Sequence, residues 1–168
     1  MRPGRILHPQ LARGLAECGH GDIVLVTDSG FPIPKGADRI DLGYYEGQVD
    51  VLDILKMLRK ELYVEQVAFD PAVKNCHPVL YRQLQEIYTG SGAVFSGILH
   101  EELVEKIAPK AKLIIRSGSF NAWANIALTC ATDPFAWFTE EDITVLDAYV
   151  VRRKRMTEKE VPELEVKA

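Results

Sequence analysis

"GHGDIVLVTDSGFPIPK", residues 19–35, decides the architecture of this chain. Ile23 to Val26 form an unbroken apolar run. A strand with apolar side chains on both faces is covered on both, as inner strands of parallel or mixed sheets are. Gly30, Pro32 and Pro34 follow, and prolines cannot serve a central strand, so the chain must leave the sheet there as a loop. His20 precedes the run and Asp28 ends it. Two readings stand: a buried strand with polar ends, or an acid/base pair delivered to the rim of a sheet.

The same logic extends outward. Pro9 suits a helix start, Leu11, Leu15 and Cys18 recur at helical spacing, and Gly19 closes that helix near His20. Asp50 is placed to cap "VLDILKMLRKEL", where Val51, Leu55, Leu58 and Leu62 share a face. "VEQVAFD" reads as a strand, and "HPVLYRQLQEIY" as a helix stopped by "TGSG". "AVFSGIL" and "KLIIRSG" read as strands with the short helix "EELVEKI" between them, and "ANIALTC" as another strand. Alternating strands and helices predict a single layered α/β domain over residues 1–131, its mixed, mostly parallel sheet flanked by helices.

Residues 132–168 form a C-terminal extension of different character. "TEEDITVLDAYVVRRKRM" opens with Thr139 and acids and closes with bases, which complements a helix dipole. Ile143, Leu146 and Val150 would form its apolar stripe. The basic run from Arg152 to Arg155 reads as a solvated helix end in preference to a phosphate-binding patch. "TEKEVPELEVKA" reads as a flexible tail.

Bulk composition narrows the function. The chain has 168 residues, 47% of them apolar, with a formal net charge of −4. That suits one domain with a real core and gives no general attraction to nucleic acid or anionic lipid. No segment has the apolar length of a membrane span, and no signal-peptide core opens the chain. Cys18, Cys76 and Cys130 are scattered and odd in number, so neither a disulfide framework nor a zinc site is expected, and the expected setting is the reducing cytoplasm. Glycine-rich phosphate-binding motifs are absent.

In α/β sheets ligands bind beyond the carboxyl ends of the strands. Asp28 and Arg116 end two strands, and His100 directly follows a third. His20 precedes its strand and reaches Asp28 only if its loop folds over the rim. Each residue has a structural alternative. His20 can serve a helix dipole, Asp28 a turn, His100 a helix cap, Arg116 an ion pair and Trp123 the core.

Taken together, "LAECGHGDIVLVTDSGFPIPKGADRIDLG" and "LHEELVEKIAPKAKLIIRSGSFNAWANIAL" resemble the D-ribose pyranase and L-fucose mutarotase family, over roughly residues 1–131. The resemblance implies a layered α/β domain in ring-shaped homo-oligomers, with monosaccharide sites near subunit contacts. It implies a cofactor-independent, metal-free isomerase that opens and recloses free aldoses such as ribose or fucose. His20 matches the family's catalytic histidine, Asp28 and His100 match sugar-binding positions, and Asn125 matches the asparagine of a Tyr-x-Asn element. Arg116 joins this set as a strand-end candidate. Trp123 replaces the tyrosine of that element; indole donates and stacks but cannot relay a proton as phenol can. That change motivates two alternatives: a related isomerase of another sugar, and a non-catalytic sugar-binding or regulatory protein.

Overall fold

The computed structural model describes residues 5–164. Its strands are β1 (Ile23–Thr27), β2 (Arg39–Asp41), β3 (Val64–Phe69), β4 (Val94–Gly97), β5 (Leu113–Arg116) and β6 (Ile126–Cys130). They form one six-stranded sheet in the order β2-β5-β1-β6-β3-β4. Neighbouring pairs are parallel except at β6, which runs antiparallel to both β1 and β3. The expected layered α/β fold with a mixed, mostly parallel sheet is therefore observed.

β1 shows why its sequence is apolar throughout. Val24 and Val26 enter a large core with Leu11 and Leu15 of α1 (Pro9–Ala16), Leu55 and Leu58 of α2 (Val51–Glu61), and Leu80 and Leu84 of α4 (Pro78–Tyr88). Leu25 points the other way, into a smaller core with Phe31, Leu103 and Ile114. Successive side chains alternate faces, so a strand covered on both sides must be apolar at every position. Each such buried aliphatic side chain contributes about 2 kcal/mol. The helix caps follow the sequence: the Leu52 N–H donates to Asp50 Oδ1 at 2.9 Å. α3 (Ala72–Cys76) is a short extra helix ahead of α4.

Three expectations are revised. "EELVEKI" is not a regular helix: a single turn, α5 (His100–Glu102), continues as a π-turn over Leu103–Ile107 and a 3₁₀ turn over Ala108–Lys110. Pro109 in that last turn has no N–H to continue an α-helical ladder. The C-terminal helix α6 begins only at Asp147 and ends at Thr157. Ile143, Thr144 and Val145 are consecutive β-branched residues, which lose χ1 freedom in a helix. Ile143, Leu146 and Val150 are exposed, and the buried residue of α6 is Arg152, so no apolar stripe forms.

The tail is also seated rather than free as far as residue 164. Tyr81 Oη–H donates to Glu163 at 3.0 Å and accepts from the Leu164 N–H at 2.9 Å. Leu164 bridges to Phe95 beside β4 and is buried in the large core. The expected flexible end lies, for residues 165–168, outside the described residues. Among the described residues no helix is long and apolar enough to cross a membrane.

Leu164→Ala is expected to lower stability by about 2–4 kcal/mol, because it leaves a cavity against Phe95. Urea unfolding measures this directly; an unchanged midpoint would mean the tail adds nothing to the fold.

Candidate functional site

All strands except β6 end at one edge of the sheet, and β6 begins there. That edge collects the loops after β1, β2, β3, β4 and β5. Asp28 follows β1 directly, and Asn125 immediately precedes β6. Because these two strands are antiparallel neighbours, the residues meet. Asn125 Nδ2 donates to Asp28 Oδ2 at 2.8 Å, and the Asp28 N–H donates to Asn125 Oδ1 at 3.0 Å. The Gly30 N–H takes Asp28 Oδ1 at 2.9 Å. Asp28 therefore does serve its turn, as the structural alternative requires. Two carboxylate oxygens offer about four lone-pair directions, so acceptor capacity remains for a ligand hydroxyl.

His100 joins this edge from β4. Its ring packs edge-on against Phe31, in the loop that Asp28 opens, with centroids 5.8 Å apart. The backbone N–H of His100 donates to Asp70 Oδ2 at 3.0 Å, while Asp70 Oδ1 accepts from the Ala72 N–H at 2.8 Å. Trp123 lies two residues from Asn125, whose N–H donates to the Trp123 carbonyl at 2.8 Å. Trp123 has φ of 61° and is 39% exposed. A bulky residue in this left-handed region is costly and persists only where its surroundings impose it. Trp123 is thus not a core tryptophan; it is held out at the rim.

Arg116 reaches the same edge but is already engaged. Its Nε donates to Asp41 Oδ1 at 2.6 Å, and Arg39 holds the other oxygen at 2.7 Å. Burial disfavours the Asp41 carboxylate, but hydrogen bonds from Arg39 and Arg116 outweigh it and keep its pKa below the usual range. Arg116 lines an adjoining shallow cavity of about 240 Å³ with Ser29, Tyr45, Glu46 and Phe120.

His20 is not at this edge. Its loop does not fold over the rim; it lies at the opposite end of β1, where Gly21 bonds the Cys130 carbonyl at 2.9 Å. From Asp22 to Asp28 the chain advances roughly 20 Å at ~3.3 Å per residue. His20 Nε2 lies 3.2 Å from Glu65 Oε2. An ionised carboxylate only accepts, so Nε2 carries the proton and Nδ1 is the acceptor of the neutral ring. Glu65 is aimed there by a bulge: Val64 pairs with Cys130 and Gln66 with Thr129, leaving Glu65 as the extra residue of β3. Bulges commonly re-aim a side chain in this way.

Other supporting residues escape a reading of the sequence. The Leu80 N–H donates to His77 Nδ1 at 3.2 Å, so His77 Nε2–H donates to Asn121 Oδ1, at 2.6 Å. Ser119 Oγ–H donates to Asp50 Oδ2 at 2.8 Å and accepts from the Asn121 N–H at 3.2 Å. Two helix caps, Asp50 and His77, therefore double as anchors for the loop that carries Trp123 and Asn125. The only signal for this in the sequence was the cap position itself.

The sequence profile of the RbsD / FucU transport protein family matches residues 1–132. The chain belongs to this family. It is 38% identical over 149 residues to D-ribose pyranase 1 of Streptomyces griseus, covering 89% of this chain and 97% of that one. It is 32% identical over 133 residues to D-ribose pyranase of Kosmotoga olearia, covering 79% and 99%. Bacillus subtilis RbsD, solved in complex with D-ribose, superposes with a TM-score of 0.73 at 30% identity, over 79% of this chain and 99% of that one. The fucose mutarotase of Streptococcus pneumoniae, in complex with L-fucose, shares the fold with a TM-score of 0.64 at 22% identity, over 76% and 94%.

The Asn125 clasp gives a test with a definite sign in this RbsD/FucU chain. Asn125→Asp sets a second carboxylate against Asp28, and the mutual repulsion raises a folded-state carboxyl pKa above its unfolded value of about 4. The folded form then binds the extra proton, so the deficit present at neutral pH shrinks as pH falls through the raised pKa. Thermal unfolding from pH 7 to 4 should show the variant converging on wild type; a pH-independent gap would contradict the assigned clasp.

Proposed function

We propose that the chain is a sugar isomerase that interconverts ring forms or anomers of a free aldose. The observation that carries this reading is the meeting of Asp28, Asn125, His100 and an outward-held Trp123 at one sheet edge. Their chemistry suits a polyhydroxylated ligand with one apolar C–H face: carboxylate and amide for hydroxyls, imidazole for a further one, indole for stacking. Family membership and pyranase relatives support the same reading.

The reaction itself needs a proton moved in both directions. The anomeric hydroxyl loses its proton as the bond from C1 to the ring oxygen breaks, and the ring oxygen gains one. The open aldehyde then recloses through another hydroxyl, or through the same hydroxyl on the other carbonyl face. Imidazole suits both steps near neutral pH. In this reading His20 Nδ1 takes the anomeric proton while Glu65 fixes the ring from behind.

A single copy cannot place His20 beside Asp28, since β1 separates them. The proposed site is therefore completed between copies, His20 of one facing Asp28, His100, Asn125 and Trp123 of the next. This fits the ring-shaped homo-oligomer expected of the family. The exposed Tyr44, Tyr45, Leu99 and Phe120 near the Asp28 edge are suitable contact residues. Arg116 acts at the border of this site, through Asp41 and the adjoining cavity. The isomerase unit is taken as residues 1–131, with 132–168 as an addition to it. The free thiols of Cys18, Cys76 and Cys130 suit the reducing cytoplasm.

Exchange NMR on free ribose, fucose and other aldoses tests the activity. His20→Ala should lower the enhancement by about 10²–10⁴-fold. Subunits bearing His20→Ala and subunits bearing Asp28→Asn, each inactive alone, should regain about a quarter of wild-type activity when co-assembled at random. No recovery in a verified mixed oligomer would rule out a shared site. Trp123→Tyr should change the preference among aldoses; an identical profile would leave Trp123 no part in substrate choice.

A further inference from the structure

The short helix α3 is tied at both ends to loops that carry candidate sugar-contacting residues. At its start, Asp70 divides its carboxylate between two elements. Oδ1 accepts from the Ala72 N–H at 2.8 Å and fixes the entry to α3, while Oδ2 accepts from the backbone N–H of His100 at 3.0 Å. The chain leading to His100 runs alongside this entry. Gly97, the last residue of β4, faces Pro71, where a Cβ would stand 3.4 Å from the proline ring. The Ile98 N–H donates to the Phe69 carbonyl at 3.0 Å.

At its other end, His77 closes α3, donating its N–H to the Val73 carbonyl at 3.0 Å, and opens α4 as the N-cap. Its ring is used twice. Nδ1 accepts from the Leu80 N–H at 3.2 Å, and Nε2–H donates to Asn121 Oδ1 at 2.6 Å; one neutral tautomer makes both bonds. Asn121 is the first residue of the turn that holds Trp123. The Ala124 N–H donates to the Asn121 carbonyl at 3.2 Å, which puts Trp123 third in that turn, with φ of 61°. Positive φ at this position ordinarily calls for glycine, so a tryptophan there depends on a turn held from outside. Between the two ends, Val73 is fully buried in the large core and pins α3 to the sheet. Asp70 and His77 stand roughly 10 Å apart along the helical path.

We propose that α3 is a spacer that fixes the separation of His100 from Trp123, with Asp70 and His77 as positioning residues for sugar recognition. The inference rests on the reading of the Asp28 edge as the sugar-holding half. Asp70 holds the backbone of His100, and His77 holds the Trp123 turn through Asn121; neither touches the sugar. A sugar that bonds to the imidazole and stacks on the indole must match the distance between them, so the spacer selects among aldoses. Asp28 and Asn125 clasp each other directly across β1 and β6, so their own pairing does not pass through α3.

The first test needs no sugar. Asn121→Ala removes the bond to His77 and leaves the backbone bonds of the turn. Amide hydrogen exchange at His100, across α3 from the change, should quicken about fivefold, with Leu25 in β1 unmoved. An unmoved His100 rate would mean that the two ties act separately and would overturn the spacer. Asn121→Asp keeps an acceptor for Nε2–H and should keep the wild-type rate; a rate as fast as that of Asn121→Ala would count against the assigned bond. His77→Asn retains a cap for Leu80 but is too short to reach Asn121, so it should reproduce Asn121→Ala. The second test is ring-exchange kinetics. Asn121→Ala and Asp70→Asn should each raise KM about fivefold with kcat kept, because His20 works at the other end of β1. In the double variant KM should rise by less than the product of the two, since either cut already frees the spacing. A rise equal to the product, or an equal loss of kcat, would overturn the role of α3 in recognition. Absence of ring exchange in wild type would sink the isomerase reading alone, and the amide rates would still decide whether α3 is a spacer.

Discussion

The length of one strand governs the functional geometry. β1 is buried on both faces and hydrogen-bonded on both edges, so its extended backbone has little room to adjust. His20 and Asp28 sit at its two ends. No rotamer change or loop motion of ordinary size brings them together across roughly 20 Å. In the proposed reading, each copy therefore carries two different half sites, one that holds sugar and one that moves protons. On that reading, the constraint that separates them is met by assembly of copies, the two halves of neighbours facing one another.

The Asp28 edge, the sugar-holding half in the proposed reading, is organised by β6. Because that strand runs against its neighbours, its first residue starts at the edge where the others finish. Asn125 therefore arrives opposite Asp28 and clasps it in both directions. The loop leading into β6 is pinned from below by Asp50 through Ser119 and by His77 through Asn121. Trp123 is held at positive φ between these anchors and the strand. Its strain is sustained by a scaffold with little freedom, which is what a fixed stacking platform requires.

Much of this was legible in the sequence because the signals were local. The unbroken apolar run of β1 announced a strand covered on both faces, and Asp50 announced the helix it caps. Asp28, His100 and Arg116 stand out because strand ends are where α/β sheets bind ligands, whereas Asn125 is marked only by the family resemblance. What stayed hidden was set by long-range pairing. "ANIALTC" reads as a strand in either direction, and its antiparallel course is decided by its neighbours. Glu65 lies 45 residues from His20, and the bulge that joins them appears only in the register with β6. Arg152 sits in a basic run that looks like a solvated helix end. It is buried where α6 packs against Gly92, whose missing side chain leaves room for Arg152 and Met156.

The reversed direction of β6 also fixes where new sequence can be added. A chain whose last strand ran with the others would release the following segment among the loops that carry Asp28 and His100, where it would risk covering them. Here Cys130 ends the strand at the opposite edge, beside Gly21 and Asp22. The segment that follows β6 therefore emerges next to the His20 end of β1, away from the Asp28 edge. In the proposed reading, residues near the start of β6 and residues that follow its end therefore neighbour different halves of the site, and either set can change without the other.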